Sequence, residues 1–207
     1  MNSISDELKL LISITLIALE NKENELKTLC REYLQQYSIQ PIYEALLQLH
    51  LFAGYPCSLT ALSILHSEYQ QIHPKSLIAD SIDNEPFHYQ TYKDRGLQTC
   101  ELVYTNTFAP LMAKLKEFSP QLQEWMLIDG YGKTLSRSGL SIQEREILVV
   151  SVLLVQGWKK QLYSHLRGAK NVGCSQKVLL ELLLFGNEFF SQSIRQYAEE
   201  VISSLYE

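Results

Sequence analysis

The chain has 207 residues, of which 46% are hydrophobic, which is enough for one large or two small domains with a sizeable core. The formal net charge is −5, and the lysines and arginines are scattered along the chain, so we expect no nucleic-acid partner. The apolar segment Leu8–Leu19 is interrupted by Lys9 and lacks the basic start and the cleavage site of a signal peptide, and it is too short to cross a membrane. We therefore expect a globular, cytoplasmic protein without a membrane partner.

The first half of the chain has the apolar spacing of four helices, with predicted bounds at 8–20, 25–37, 39–53 and 58–72. Ser3 or Ser5 can cap the first of them and Ser38 the third. Residues 75–93 are rich in Ser, Asp and Asn and have little periodicity, so they are predicted to form a linker.

The second half predicts further helices. One runs over 95–118 with a break near Pro110, and the next starts at Ser119 and is closed by Gly130. A capping box, Ser141 with Glu144, starts a buried helix that runs to residue 157. Further helical patterns follow over 161–172, 176–185 and 187–207. Because no alternating β pattern is present, the fold class is predicted to be all-α.

The helical pattern of the first half recurs in the second half after a shift of 136 positions. This shift aligns Arg31 with Arg167 and Leu46 with Leu182, and other apolar positions agree as well. It also sets Leu29 against His165. The sequence therefore predicts an internal duplication in which only the second copy carries the histidine.

The loop and helices between 131 and 185 resemble the carboxymuconolactone decarboxylase and alkylhydroperoxidase D superfamily. Its members combine a loop ending in R-x-G-L with a buried helix and a helix carrying (E/Q)-L-x-x-H-x-R-x-A before a glycine. The matching residues are Arg137, Gly139, Leu140, Gln161, Leu162, His165, Arg167, Ala169 and Gly173. The resemblance implies an AhpD-like helical fold of two repeats: a degenerate first repeat at 1–74, the linker at 75–93, and a second repeat with the site at 94–207.

The resemblance implies that His165 is an acid–base or substrate-binding group, with Gln161 and Glu146 as further catalytic candidates. A histidine within a helix is also commonly a hydrogen-bonded core residue, and an acidic residue early in a helix such as Glu146 is favoured by the helix dipole alone. An enzyme should show His165 with Arg or Gln around an open cavity, whereas a non-catalytic interaction protein on the same fold should show that space filled.

Three arginines could bind a substrate carboxylate through paired hydrogen bonds, namely Arg137, Arg145 and Arg167. For Arg145 and Arg167 the simpler role is to pair with nearby acids or to cross a subunit interface. Tyr131 and Trp158 are further candidates for substrate binding, although aromatic residues at such positions also serve as packing. We expect a small carboxylated or lactone substrate, no metal and no organic cofactor.

The peroxidase branch of the superfamily carries C-x-x-C-x-x-x-H, but here Trp158 and Gln161 stand at the two cysteine positions. The four cysteines of the chain lie far apart in the sequence, so a dithiol peroxidase is disfavoured. Two apolar helices, at 147–157 and 179–185, predict a homo-oligomer. Among assemblies, the resemblance favours a trimer over a dimer.

Overall fold

The computed structural model describes residues 1–82, 86 and 88–207, and this part of the chain is all-α, as predicted, with no strand. The α-helices are α1 (Asp6–Leu19), α2 (Glu23–Gln36), α3 (Ile39–Phe52), α4 (Gly54–Ile72), α5 (Tyr89–Tyr104), α6 (Phe108–Phe118), α7 (Pro120–Trp125), α8 (Ile142–Gln156), α9 (Lys159–Asn171), α10 (Gln176–Phe185) and α11 (Gln192–Tyr206). Two short 3-10 helices cover Ile78–Asp80 and Thr105–Thr107, and a π-helix covers Met126–Leu135. None of the helices among the described residues is long and apolar enough to span a membrane.

Serine caps fix several of these helix starts. The serine hydroxyl accepts a backbone N–H at the start of α1, α7, α8 and α10, from Ser5, Ser119, Ser141 and Ser175 respectively. Ser141 and Glu144 form both bonds of the predicted capping box. Ser38 precedes α3 as predicted, but its side chain makes no capping hydrogen bond.

The predicted linker at 75–93 is partly structured. Its last five residues belong to α5, which begins at Tyr89, and Ile78 of the first 3-10 helix is buried in the core. Residues 83–85 and 87 of the predicted linker lie outside the described residues. The predicted break near Pro110 falls instead at Thr105–Thr107, because proline is tolerated in the first turn of α6.

The prediction that a helix closes at Gly130 and a loop follows is wrong, because α7 continues directly into the π-helix. Glycines allow this π-helix to lie against the backbone of α5. A Cβ on Gly132 would come within 1.9 Å of the Tyr92 carbonyl oxygen, and one on Gly96 within 2.1 Å of the Leu127 carbonyl oxygen. These glycines therefore allow close packing between helices. The backbone remains helical through a segment whose sequence predicts the end of a helix.

Helix α8 is the centre of the core. Its residues from Arg145 to Leu154 are all buried, against α1, α3, α9 and α10 of the same chain. The apolar side chains around this helix are thus buried within one chain, so they give no reason to expect an oligomer. Of the two helices that predicted an oligomer, α10 does keep apolar side chains at the surface, with Leu184 76% exposed and Phe185 39% exposed.

The helix boundaries agree with the predicted repeat. Helices α1 and α8 start at residues 6 and 142, and α2 and α9 start at residues 23 and 159, so both pairs are offset by 136 positions. Within each half the two helices pack against each other, and α1 also packs against α8. The duplication itself stays a prediction.

Candidate active site

A cavity of about 910 Å³ opens between the end of α3, the end of α5, the α6–α7 segment, the π-helix and α9. Three of the predicted site residues line it: His165, Gln161 and Tyr131. The histidine and the glutamine therefore face an open cavity, which is the arrangement expected of an enzyme.

A buried carboxylate orients His165 at the wall of this cavity. Glu146 on α8 places Oε2 2.9 Å from Nδ1 of His165 on α9, and both side chains are buried. An ionised carboxylate can only accept a hydrogen bond, so Nδ1 carries the proton and Nε2 is left for other partners. Within the described part of the chain no hydrogen bond to Nε2 is present. Glu146 thus sets the tautomer that presents a basic nitrogen.

Helix α9 approaches α8 closely because Gly168 has no side chain. A Cβ on Gly168 would lie 2.9 Å from the carboxylate oxygen of Glu146 and 2.8 Å from Val103 on α5. On the cavity side, α9 presents a polar strip of Lys160, Gln161, Ser164 and His165. Sequence reasoning missed Lys160 and Ser164, although Ser164 lies four residues after Lys160 and three after Gln161, which places these three side chains on one side of the helix.

Two tyrosines in edge-to-face contact form the inner wall of the cavity. Tyr131 donates its hydroxyl proton to the hydroxyl oxygen of Tyr104 at 2.8 Å, and the two rings meet edge to face. Burial raises the pKa of both phenols, so both stay protonated at physiological pH. Tyr104 can consequently donate its own proton to a molecule in the cavity. No motif in the sequence marks Tyr104, because its position depends on the packing of α5 against the π-helix.

The cations beside the cavity are lysines and not the predicted arginines. Lys114 on α6, Lys133 on the π-helix and Lys160 on α9 all line it and are exposed to solvent. None of the three forms an ion pair with an acid among residues 1–82, 86 and 88–207. The cavity therefore offers uncompensated positive charge near its opening.

Arg145 and Arg137 lie elsewhere, in a buried cluster around Glu44 of α3. Arg145 Nη2 is 2.9 Å from Glu44 Oε2, and Arg137 Nε is 2.9 Å from Glu44 Oε1. Arg145 also donates to Gln48 and to the carbonyl oxygen of Arg137. Burial lowers the pKa of Arg145, and the Glu44 carboxylate opposes that shift. Neither arginine lines the cavity that contains His165.

The R-x-G-L sequence of the loop has a structural explanation in this cluster. Gly139 has φ +92°, and a Cβ there would come within 2.6 Å of Gln40 on α3. Leu140 is buried in the core beside it. The motif therefore attaches the loop to α3 through Arg137 and Glu44, at a distance from the chemistry of His165.

The other two predicted binding residues also lie outside the cavity lining. Arg167 donates to Thr107 Oγ1 at 2.9 Å and stacks over the ring of Tyr163, which fixes the turn between α5 and α6. Trp158 precedes α9 and is 62% exposed. It was a predicted binding residue, but it is not part of the cavity lining.

Cysteines take no part in the cavity wall as far as the described residues extend. Burial raises the pKa of Cys30 to about 12 and that of Cys174 to about 12. Among the described residues, no group of three or more His, Cys, Asp or Glu side chains comes together in a way that could hold a metal ion.

No protein-family model matches the chain. Over 98 residues the chain is 30% identical to 4-carboxymuconolactone decarboxylase of Acinetobacter baylyi, and the alignment covers 45% of this chain and 73% of that protein. The chain belongs to the carboxymuconolactone decarboxylase family. It is also 27% identical over 99 residues to peroxisomal protein 2 of Saccharomyces cerevisiae, covering 44% of this chain and 35% of the yeast protein.

Proposed function

We propose that this member of the carboxymuconolactone decarboxylase family is an enzyme that acts on a small carboxylated or lactone substrate by acid–base chemistry at His165. The observation that carries the proposal is the hydrogen bond between Glu146 and Nδ1 of His165 at the wall of an open cavity. A carboxylate in this position fixes the imidazole tautomer and stabilises its protonated form, which is the arrangement a general acid–base requires.

The residues at the cavity suit a decarboxylation. In that reaction the bond between a carbon atom and its carboxylate breaks, carbon dioxide leaves, and the electron pair passes to a conjugated carbonyl oxygen. Tyr104 can donate a hydrogen bond to that oxygen, because its own hydroxyl is held by Tyr131. Nε2 of His165 takes up a proton from solvent and delivers it to the carbon, so that a C–H bond replaces the broken C–C bond and the imidazole returns to its neutral form. Gln161 and Ser164 on the same helix face can orient the substrate.

Two other functions receive less support. An interaction protein would fill the space in front of His165, but this space is an open cavity. A thiol peroxidase needs a reactive thiolate, and a raised pKa disfavours the thiolate at Cys30 and Cys174.

One site per chain is part of the proposal. With the shift of 136 positions, Leu10 and Leu29 of the first repeat correspond to Glu146 and His165. Both leucines pack against the core, and leucine side chains cannot transfer protons. A cytoplasmic homo-oligomer, with a trimer as the first choice, also stays a proposal that light scattering at micromolar concentration can test.

Carbon dioxide release from 4-carboxymuconolactone and related carboxylated lactones tests the proposed reaction. His165→Gln and Glu146→Gln should each lower kcat by about 10²- to 10⁴-fold, the usual contribution of a general acid–base. His66→Gln is the matched control, because His66 lies on α4 outside the cavity lining. Equal turnover by wild type and His165→Gln would refute the assignment of His165.

A further inference from the structure

The cavity that contains His165 has two chemically different sides. The polar side comes from one helix, α9, with Lys160, Gln161, Ser164 and His165. The largest apolar contribution comes from the α6–α7 segment, through Leu111, Leu115, Phe118, Leu122 and Trp125. Steps of three and four residues place Leu111, Leu115 and Phe118 along one side of α6 and Leu122 and Trp125 along one side of α7. Because all five line the same cavity, we call them the apolar stripe. A ligand that satisfies both sides must carry both a polar head and an apolar body.

The apolar stripe is uncovered in the chain by itself. No residue of α6 or α7 is buried, and Phe118 and Trp125 are 65% and 58% exposed. Contiguous apolar surface of this kind marks a binding site, because covering it removes apolar area from water. Since these side chains line the cavity, a bound molecule can cover them without a second protein.

The charges of the lining favour an anion. Lys114, Lys133 and Lys160 contribute three positive charges that form no ion pair within the described residues, where Asp129 is the acidic residue of the lining. A carboxylate at the head of the ligand can pair with Lys160 on the same helix as His165. Its reacting atoms would then lie along the polar strip.

The cavity has room for more than a single small ring. A volume of about 910 Å³ lies near the upper end of the roughly 300–1,000 Å³ range of drug-sized ligand sites. We propose that the site takes an amphipathic carboxylate, with its head at Lys160 and His165 and an apolar chain or ring system along α6–α7. This inference rests on the proposed function for the reaction of the head group, and it adds the class of substrate body.

Binding can be measured without turnover, because the chain has two tryptophans and one of them lines the cavity. Trp158→Phe leaves Trp125 as the single tryptophan, and its fluorescence reports on the apolar stripe. Decanoate should shift this emission to the blue with saturation, decanol should bind more weakly, and acetate should cause no change. In a series of shorter carboxylates, the affinity should rise about fourfold for each added CH₂ group.

Further substitutions in the Trp158→Phe variant distinguish the contribution of the carboxylate head from that of the apolar body of the ligand. Lys160→Met should weaken decanoate about two- to fivefold and leave decanol unchanged, because one exposed ion pair contributes little. Leu115→Asn should weaken both ligands, and Lys177→Met, an exposed lysine on α10 outside the cavity, should weaken neither. Circular dichroism checks that each variant is folded.

Three results would overturn the inference: no saturable response to decanoate, equal affinity for decanoate and acetate, or a Trp125 emission that responds to dilution and not to decanoate. The last would mean that a second copy of the chain covers α6–α7. Decanoate binding together with turnover that is insensitive to His165→Gln would refute the proposed function and leave the ligand class in place. If His165→Gln abolished turnover but the protein did not bind decanoate, the proposed function would stand and the proposed ligand class would be refuted.

Discussion

Two neighbouring residues of α8 hold buried charges that serve different purposes. Arg145 turns toward Glu44 of α3, where Arg137 of the loop completes a cluster outside the cavity lining. Glu146, the next residue, turns toward His165, whose ring lines the cavity. The carboxylates of Glu44 and Glu146 are both buried, and each has a side-chain nitrogen of its partner at 2.9 Å. A buried charge is therefore insufficient to identify a site, and access from the cavity distinguishes the two.

The same difference assigns separate roles to the R-x-G-L loop and to the helix that carries His165. The R-x-G-L loop and Arg145 join the two halves of the chain through α3, so they contribute to the fold. The Glu146–His165 pair joins α8 to α9 and keeps one imidazole nitrogen available. The first group should respond to substitution by losing stability, and the second by losing turnover.

The largest expected change in stability follows from Glu44→Ala. This variant leaves Arg145 and Arg137 without their carboxylate in a buried environment, so the free energy of unfolding should fall by about 3–5 kcal/mol. Urea denaturation measures the loss. As a control, Lys9→Ala removes two long, partly exposed ion pairs, with Asp6 at 3.6 Å and with Glu181 at 3.7 Å, and should cost only about 1 kcal/mol.

The pair at the cavity should behave differently when both of its partners are replaced. The double variant His165→Leu/Glu146→Leu leaves no unpaired polar group, so its stability should stay close to that of wild type while turnover is lost. If Glu44→Ala were as stable as this double variant, the distinction between the two clusters would fail.

Two glycines beside the two carboxylates sharpen the comparison. Gly139→Ala forces a side chain into a left-handed conformation 2.6 Å from Gln40, so stability should fall by about 1–3 kcal/mol. Gly168→Ala adds a methyl group 2.9 Å from the carboxylate oxygen of Glu146 and should lower turnover more than stability. Thermal unfolding and steady-state kinetics on both variants test this.

A third glycine, Gly157, measures the free-energy cost of a left-handed backbone conformation without any steric contact. Gly157 has φ +72° but nothing within 4 Å of the position of a Cβ. Gly157→Ala should therefore cost about 1–2 kcal/mol and leave turnover unchanged. If Gly139→Ala cost no more than Gly157→Ala, the contact with α3 would not matter.

The smallest effect is expected at the cysteines. Burial disfavours the thiolate and raises the pKa of Cys30 and Cys174 to about 12, so only about one thiol in ten thousand is ionised at pH 8. Both should react slowly with a disulfide reagent in the native protein, and faster as the pH rises toward 12 or after unfolding in urea. Replacement of all four cysteines by alanine should leave turnover unchanged. A thiol-dependent activity that disappears in this variant would contradict the acid–base account.

Local chemistry made much of the fold predictable. Ser119 and Ser141 cap their helices by hydrogen bonds within one turn, and Gly173 takes the left-handed conformation expected after α9. The π-helix could not be predicted in this way, because contact between Gly132 and the backbone of α5 overrides the stop signal at Gly130. Tertiary packing decided that segment.

The candidate site was predictable only in part, for a similar reason. Helical spacing and the motif located His165 and Gln161, and the resemblance named Glu146 as a further catalytic candidate. Tyr104 belongs to another helix and reaches the cavity only through the fold. A guanidinium such as that of Arg145 can bind a substrate or a carboxylate of its own chain, and the sequence does not say which.

The central claim is that Glu146 holds His165 with Nδ1 protonated and Nε2 open to the cavity. Nitrogen-15 NMR of the histidine rings tests this directly, with the His165 signals assigned by their loss in His165→Gln. The account predicts that in the neutral ring Nδ1 carries the proton, that Nε2 is unprotonated, and that a carboxylate ligand shifts the Nε2 resonance. A neutral ring protonated at Nε2, or an Nε2 resonance indifferent to both pH and ligand, would contradict it.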